Sequence, residues 1–187
     1  MKKEKKNSYK KIILSITVPV LLVLIYIFSA MYSFHQVHKS FYYNNKHLSK
    51  NYIEWDELKN NFKDYFNVNF LKEMTNEKEF KELSEFGVLV AGLAGTFVDR
   101  IIDTYINPEG LSLLLEKSEK KSDIPKPNFA TLIGGILIME FDDLNSFHVN
   151  IENDGEKIPI HFYRFGTKWK VTKIEFPKDI FKDMYPK

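Results

Sequence analysis

The sequence predicts an α+β protein hung on one transmembrane helix, with a helical N-terminal part packed on a four-stranded antiparallel C-terminal meander. Three observations carry this reading. A cluster of lysines precedes a long uncharged apolar run. The middle of the chain repeats its apolar positions at steps of three and four, the spacing of one helix face. The last third switches to a step of two around an Asp-Gly pair, the spacing of a half-buried strand.

The N-terminus comes first. Lys2, Lys3, Lys5, Lys6, Lys10 and Lys11 stand against the single acid Glu4, and Ile12 to Phe34 then carries no charge over 23 residues. At about 1.5 Å per residue such a helix exceeds a hydrocarbon core of about 30 Å. Pro19 falls in its first turns, where a mild kink is tolerated. A cleaved signal peptide fits less well, because the apolar run is long and a cut after Ala30 would put the bulky Phe28 where a small residue is wanted. The lysines lie ahead of the run, so the positive-inside rule puts the N-terminus in the cytoplasm and the rest across the membrane. The expected organisation is a basic tail over 1–11, an anchor over 12–34 and an exported domain over 35–187. The location is the inner (cytoplasmic) membrane, with the domain periplasmic or extracellular.

Removing the tail inverts the charge. The whole chain is +2, but beyond Met31 acids exceed bases by three, so the domain offers no basic face for nucleic acid. The tail instead suits anionic lipid. The chain has no cysteine, so disulfides, thiolate chemistry and Cys-ligated zinc are excluded. No cofactor is called for.

Beyond the anchor, Phe34, Val37, Phe41, Leu48 and Tyr52 form one stripe, and Trp55, Leu58, Phe62, Phe66 and Phe70 form a clearer one. Thr75 and Asn76 are suited to start a further helix. In AGLAGTFVDRIIDTYINPEG, Gly87, Ala91 and Gly95 recur every four residues and line one helix face with almost no side chain, which permits close backbone approach. Asn107 followed by Pro108 predicts a capped corner and a new helix. KSEKKSDIPKPNF, about 117–130, reads as a linker, with a strand expected from Ile136 to Asp142.

In FHVNIENDGEKIPIHF, Asp154-Gly155 is a two-residue hairpin signal. That register sets Phe147 against Phe162, Val149 against Ile160 and Ile151 against Ile158 on one face. On the other it sets His148 against His161 and Glu152 against Lys157. Gly166-Thr167 suits a type II′ turn. In the strand after it the apolar phase slips from Trp169 and Val171 to Ile174 and Phe176, which predicts a β-bulge near Thr172–Lys173, opposite His161.

The anchor, YIEWDELKNNF, the central AGLAGTFVDRIIDTYINPEGLSLLL and the closing FYRFGTKWKVTKIEFP together resemble the bacterial domain-of-unknown-function family 2939, over roughly residues 32–177. Glu54 stands where that pattern has Asp and Lys59 where it has Arg. The resemblance implies a membrane-anchored domain and no activity. Helices first and a curved sheet last is also similar to cone-like folds of nuclear-transport-factor type, an analogy of architecture alone.

The candidate surfaces are few. Asp99, Arg100 and Asp103 could line a polar pocket, with Arg100 clamping an anion and an Asp as base, or form a salt-bridged helix surface; the second weighs more, because no nucleophile accompanies them. His148 and His161 could share an ion across strands, but a stable site wants more ligands than the sequence places beside them, so the expectation is no metal. The sequence holds no GxSxG, P-loop, HExxH or dinucleotide fingerprint. The leading expectation is a non-enzymatic envelope domain that binds a protein or a lipid-like ligand between helices and sheet. A structural subunit of a membrane complex is the alternative, and an enzyme using the Asp99/Arg100/Asp103 group comes last.

Overall fold

The computed structural model describes residues 2–76, 95, 96, 98–117, 124–153 and 156–175. Helix α1 runs unbroken from Lys2 to Tyr42 with Pro19 inside it. Its exposed half and its buried half meet near Tyr26. Ile13 to Ile25 are exposed, whereas Ala30, Ser33, Val37 and Ser40 are buried at steps of three and four. These small side chains let the sheet approach the helix closely. The domain core therefore begins inside the apolar run rather than at its end.

The chain reverses at Asn44, which takes a left-handed φ of 50°. Asn is one of the few residues that tolerates this conformation. Asn45 then caps α2 (Lys46–Tyr52) by accepting from the Leu48 amide at 3.1 Å. Ile53 bridges Val171 in parallel, the Glu54 amide donates to the Val171 carbonyl, and α3 follows from Trp55 to Asn76. Thr75 and Asn76, expected to start a helix, lie in the last turn of α3, and the residues that such a helix would take lie outside the described residues. Residues 77–94 and 97, with Gly87 and Ala91 among them, lie outside the described residues.

A helical segment covers 98–105. Asn107 closes it through Nδ2 to the Asp103 and Thr104 carbonyls, and opens α4 (Pro108–Lys117) by accepting from the Gly110 amide at 2.8 Å. The predicted corner and cap are both present. Gly110 is the crowded glycine there: a Cβ on it would lie 2.5 Å from the Thr104 oxygen and from the Tyr105 Cα. Gly95 shows no such crowding, since an added Cβ meets no described atom within 4 Å.

The expected strand from Ile136 is corrected. Residues Phe129–Leu137 form a helix, α5, with Asn128 and Thr131 closing a reciprocal capping box. Strand β1 follows only at Met139–Phe141. The run FATLIGGIL is apolar at nearly every position, so its period cannot separate helix from strand, and the cap decides. Gly135 lies against the Phe34 ring, where a Cβ would approach Cδ1 to 2.8 Å.

The sheet is an antiparallel meander of β1, β2 (Ser146–Asn153), β3 (Glu156–Phe165) and β4 (Lys168–Ile174), in that spatial order. All the predicted pairs of the β2–β3 hairpin are present, from Phe147 with Phe162 to Glu152 with Lys157. Gly166 has φ +64° and is the only one of the two turn residues with positive φ, as a II′ turn requires. The bulge is also where the phase slip puts it. Phe162 pairs Val171 while His161 pairs Lys173, leaving Thr172 as the extra residue. Asn61 of α3 holds this bulge by donating to the Thr172 carbonyl at 3.1 Å.

Trp169, fully buried, joins sheet to helix. Its indole N–H donates to Ser29 Oγ at 3.0 Å and its backbone N–H to Ser33 Oγ at 3.3 Å. Phe147 and Phe162 stack beneath it at 4.5 Å, nearly parallel. With Ala30, Val37, Ile53, Leu58, Val149 and Val171 these rings make up the core.

Candidate functional site

Asp99 and Asp103 sit one turn apart on the helical segment over 98–105, and their like charges would repel. Lys63 of α3 resolves this by reaching both carboxylates, at 3.4 and 3.3 Å. Desolvation lowers the Lys63 pKa, but hydrogen bonding and charge from Asp103 and Asp99 outweigh it, and the ammonium sits above its usual value. Both carboxylates and Arg100 are solvent-exposed. The group is thus an exposed ion pair between two helices, and Lys63 is the partner that sequence spacing did not identify.

The histidines meet on the outer face of the sheet. His148 and His161 lie 5.4 Å apart between ring centroids. The turn after β1 adds Asp142, whose Oδ1 is 2.9 Å from His148 Nδ1. One ligand atom from each of Asp142, His148 and His161 falls within 4.8 Å of the others. Glu140 stands 3.8 Å from His148, and Glu175 stands 3.2 Å from His161 Nε2, a nitrogen that is buried and has no aligned hydrogen bond among the described residues. Burial pushes the His161 pKa down; Glu175 opposes the shift, and Lys173 and His148 add to it. Chemically the group can bind a proton or hold a divalent cation. The sequence register brings the two histidines together but does not indicate Asp142, which arrives through the 288-sum register of the short β1–β2 hairpin, with Glu140 opposite His148.

A third feature was not tied to particular residues by the sequence. An apolar cleft of about 130 Å³ opens between helices and sheet, lined by Phe41, Trp55, Phe62, Leu111, Ile160 and Ile174 among others. Every described lining residue is apolar or aromatic. The Trp55 indole N–H is buried with no hydrogen-bond partner among the described residues. Beside the cleft Glu54, the family-pattern departure, takes a 2.6 Å ion pair from Lys170 of β4 and fixes the start of α3 on the sheet.

Comparison with known proteins adds one match. The family model described as protein of unknown function (DUF2939) covers residues 20–114, just over half of the chain. The chain belongs to this family. The DUF2939 match takes in the second half of α1, α2, α3 and the Asn107 corner, and stops within α4, before α5 and the sheet, so it ends earlier than the resemblance over 32–177. No curated protein and no solved structure matches the chain, and the likeness to nuclear-transport-factor folds stays an analogy.

Proposed function

We propose that this DUF2939 chain is a single-pass membrane-anchored binding domain without catalytic activity, and that its ligand is an apolar chain held between helices and sheet. In this reading the lysine tail lies in the cytoplasm and the domain on the far side of the membrane. The observation that carries it is the cleft. It joins apolar walls from α1, α3, α4 and the sheet. Binding sites of this kind are mostly apolar with a few polar groups that set orientation. At about 130 Å³ the cleft is small and suits the tail of an acyl chain rather than its headgroup. Asp99 and Asp103 support the non-catalytic reading, because both pair with Lys63 in the open.

Native mass spectrometry of the full chain in mild detergent tests this. A reproducible excess mass of lipid size is expected, and it should be lost in a Leu111→Phe variant that fills the cleft and still melts as the parent does. A bare chain mass in repeated preparations would refute ligand binding and shift the search to a protein partner in a membrane complex.

A further inference from the structure

Helix α5 is unusual for a water-facing element. No charge occurs from Pro127 to Met139. Its outward side chains are open: Phe129 is 76% and Leu137 87% exposed, and Leu144 at the tip of the β1–β2 turn is 79% exposed. Scattered exposed apolar residues are ordinary, but a contiguous patch marks an interaction surface.

The position of α5 along α1 indicates what covers the patch. Ile133 and Ile136 of α5 form one apolar groove with Leu24, Phe28 and Met31 of α1. Tyr26 donates its hydroxyl to the Leu144 carbonyl at 2.9 Å, which fixes the turn tip at the same level. From the last tail lysine, Lys11, to Leu24 is a rise of about 20 Å, whereas a hydrocarbon core measures about 30 Å. The stretch of α1 free of the domain is therefore too short to cross alone. The missing distance falls alongside the turns of α1 that α5 and Leu144 flank.

We propose that α5 and the tip of the β1–β2 turn are seated in the bilayer leaflet on the domain side, with lipid acyl chains as their partner. The apolar surface of α1 then continues onto Ile133 and Ile136 of α5, with Phe129, Leu137 and Leu144 as further exposed apolar side chains of the same two elements. Charged neighbours limit the depth: Lys126 and Glu140 bound α5, and Asp142 and Asp143 precede Leu144. These groups stay among the headgroups, so the insertion is shallow, on the order of the 5–10 Å of an interfacial helix. Arg164, whose guanidinium lies 5.6 Å from the Tyr26 ring centroid, stands beside the seated level, from which a long basic side chain extends toward the headgroups. The inference rests on the membrane-anchor reading above.

The chain contains no cysteine, so single spin labels can be placed without background. Val20→Cys, Leu137→Cys and Glu152→Cys would be labelled in the full chain. Each would be reconstituted in vesicles of phosphatidylcholine and phosphatidylglycerol and probed with oxygen and a water-soluble nickel chelate. The expected result is an oxygen-to-nickel accessibility ratio at 137 close to that at 20 and several-fold above that at 152. A ratio at 137 equal to that at 152, with 20 still lipid-like, would overturn the seating of α5 and leave the anchor standing. Shielding of 137 from both reagents would mean that protein covers the face, which also overturns it. A water-like ratio at 20 would remove the anchor reading, and this inference with it.

Discussion

Replacing Gly110 with Ala adds one methyl group at the tightest point of the Asn107 corner. The new Cβ would lie 2.5 Å from the Thr104 oxygen and the Tyr105 Cα, and 2.6 Å from the Tyr105 oxygen. All three are backbone atoms, so no side chain can swing aside. Carbon atoms in contact sit about 3.5–4.0 Å apart, and relief requires α4 to move away by roughly 1 Å. Such overpacking costs about 1–3 kcal/mol. The better helix propensity of Ala offsets up to about 1 kcal/mol. The upper end of the cost applies because the opposing atoms are rigid, leaving a net loss of about 2 kcal/mol. For a chain of this size that is a fall in Tm of roughly 4–8 °C. Displacing α4 also strains the Asn44 contacts to the Ser112 carbonyl and Glu116. The assay is thermal unfolding of the full chain in detergent, followed by far-UV circular dichroism, beside Gly95→Ala as a control. That control meets no described atom, so it should hold or raise Tm. If Gly110→Ala melts no lower than the parent, or if Gly95→Ala falls as far, the assignment of close approach to Gly110 is wrong.

Other expectations concern the sheet and its links to α1. Ser29→Ala strands the Trp169 indole N–H, now bonded to Ser29 Oγ, and should cost about 1–3 kcal/mol with a visible change in near-UV circular dichroism; an unchanged spectrum and Tm would count against that bond. Deleting Thr172 removes the extra residue and leaves Val171, Lys173 and Ile174 in plain alternation, so Ile174 should stay on the core face and amide exchange of β4 should remain slow, whereas a sharp rise would show that Thr172 is not the residue that sets the phase. Burial holds the His161 pKa below its unfolded value, so protonation opposes folding, and stability is lost as pH falls through the unfolded value near 6.5. His161→Gln should flatten the Tm decline between neutral and mildly acidic pH; an equally steep decline would assign it to other groups. Zinc should leave Tm unmoved, since among the described residues only Asp142 joins the two histidines at ligand distance; a saturable rise abolished by His148→Gln would make the cluster a metal centre.

The parts of this fold that sequence made legible are those where period and turn chemistry agree. The β2–β3 register followed from a polar hairpin centre flanked by alternating apolar residues. The bulge followed from a single change of phase between Val171 and Ile174. Helix α5 was misread because its residues are apolar on every side, which erases the period; Asn128 and Thr131, spaced as a reciprocal cap, carried the signal that would have found it. At the candidate sites, pairs on adjacent strands were readable. Partners brought in by another element were not, as with Lys63 beside Asp99 and Asp103, or Asn61 on the bulge. Nothing local in the sequence encodes those meetings, because they depend on how helices settle on the sheet.

The bonds from Trp169 to α1 also impose an order of events on biosynthesis. Ser29 and Trp169 are 140 residues apart. At roughly 5–20 residues per second, the inward face of α1 waits on the order of ten seconds after its own synthesis before β4 exists to cover it. The core cannot close from the N-terminus outward. It must wait for β4, and until then Ala30, Ser33, Val37 and Ser40 stay without their partner strand.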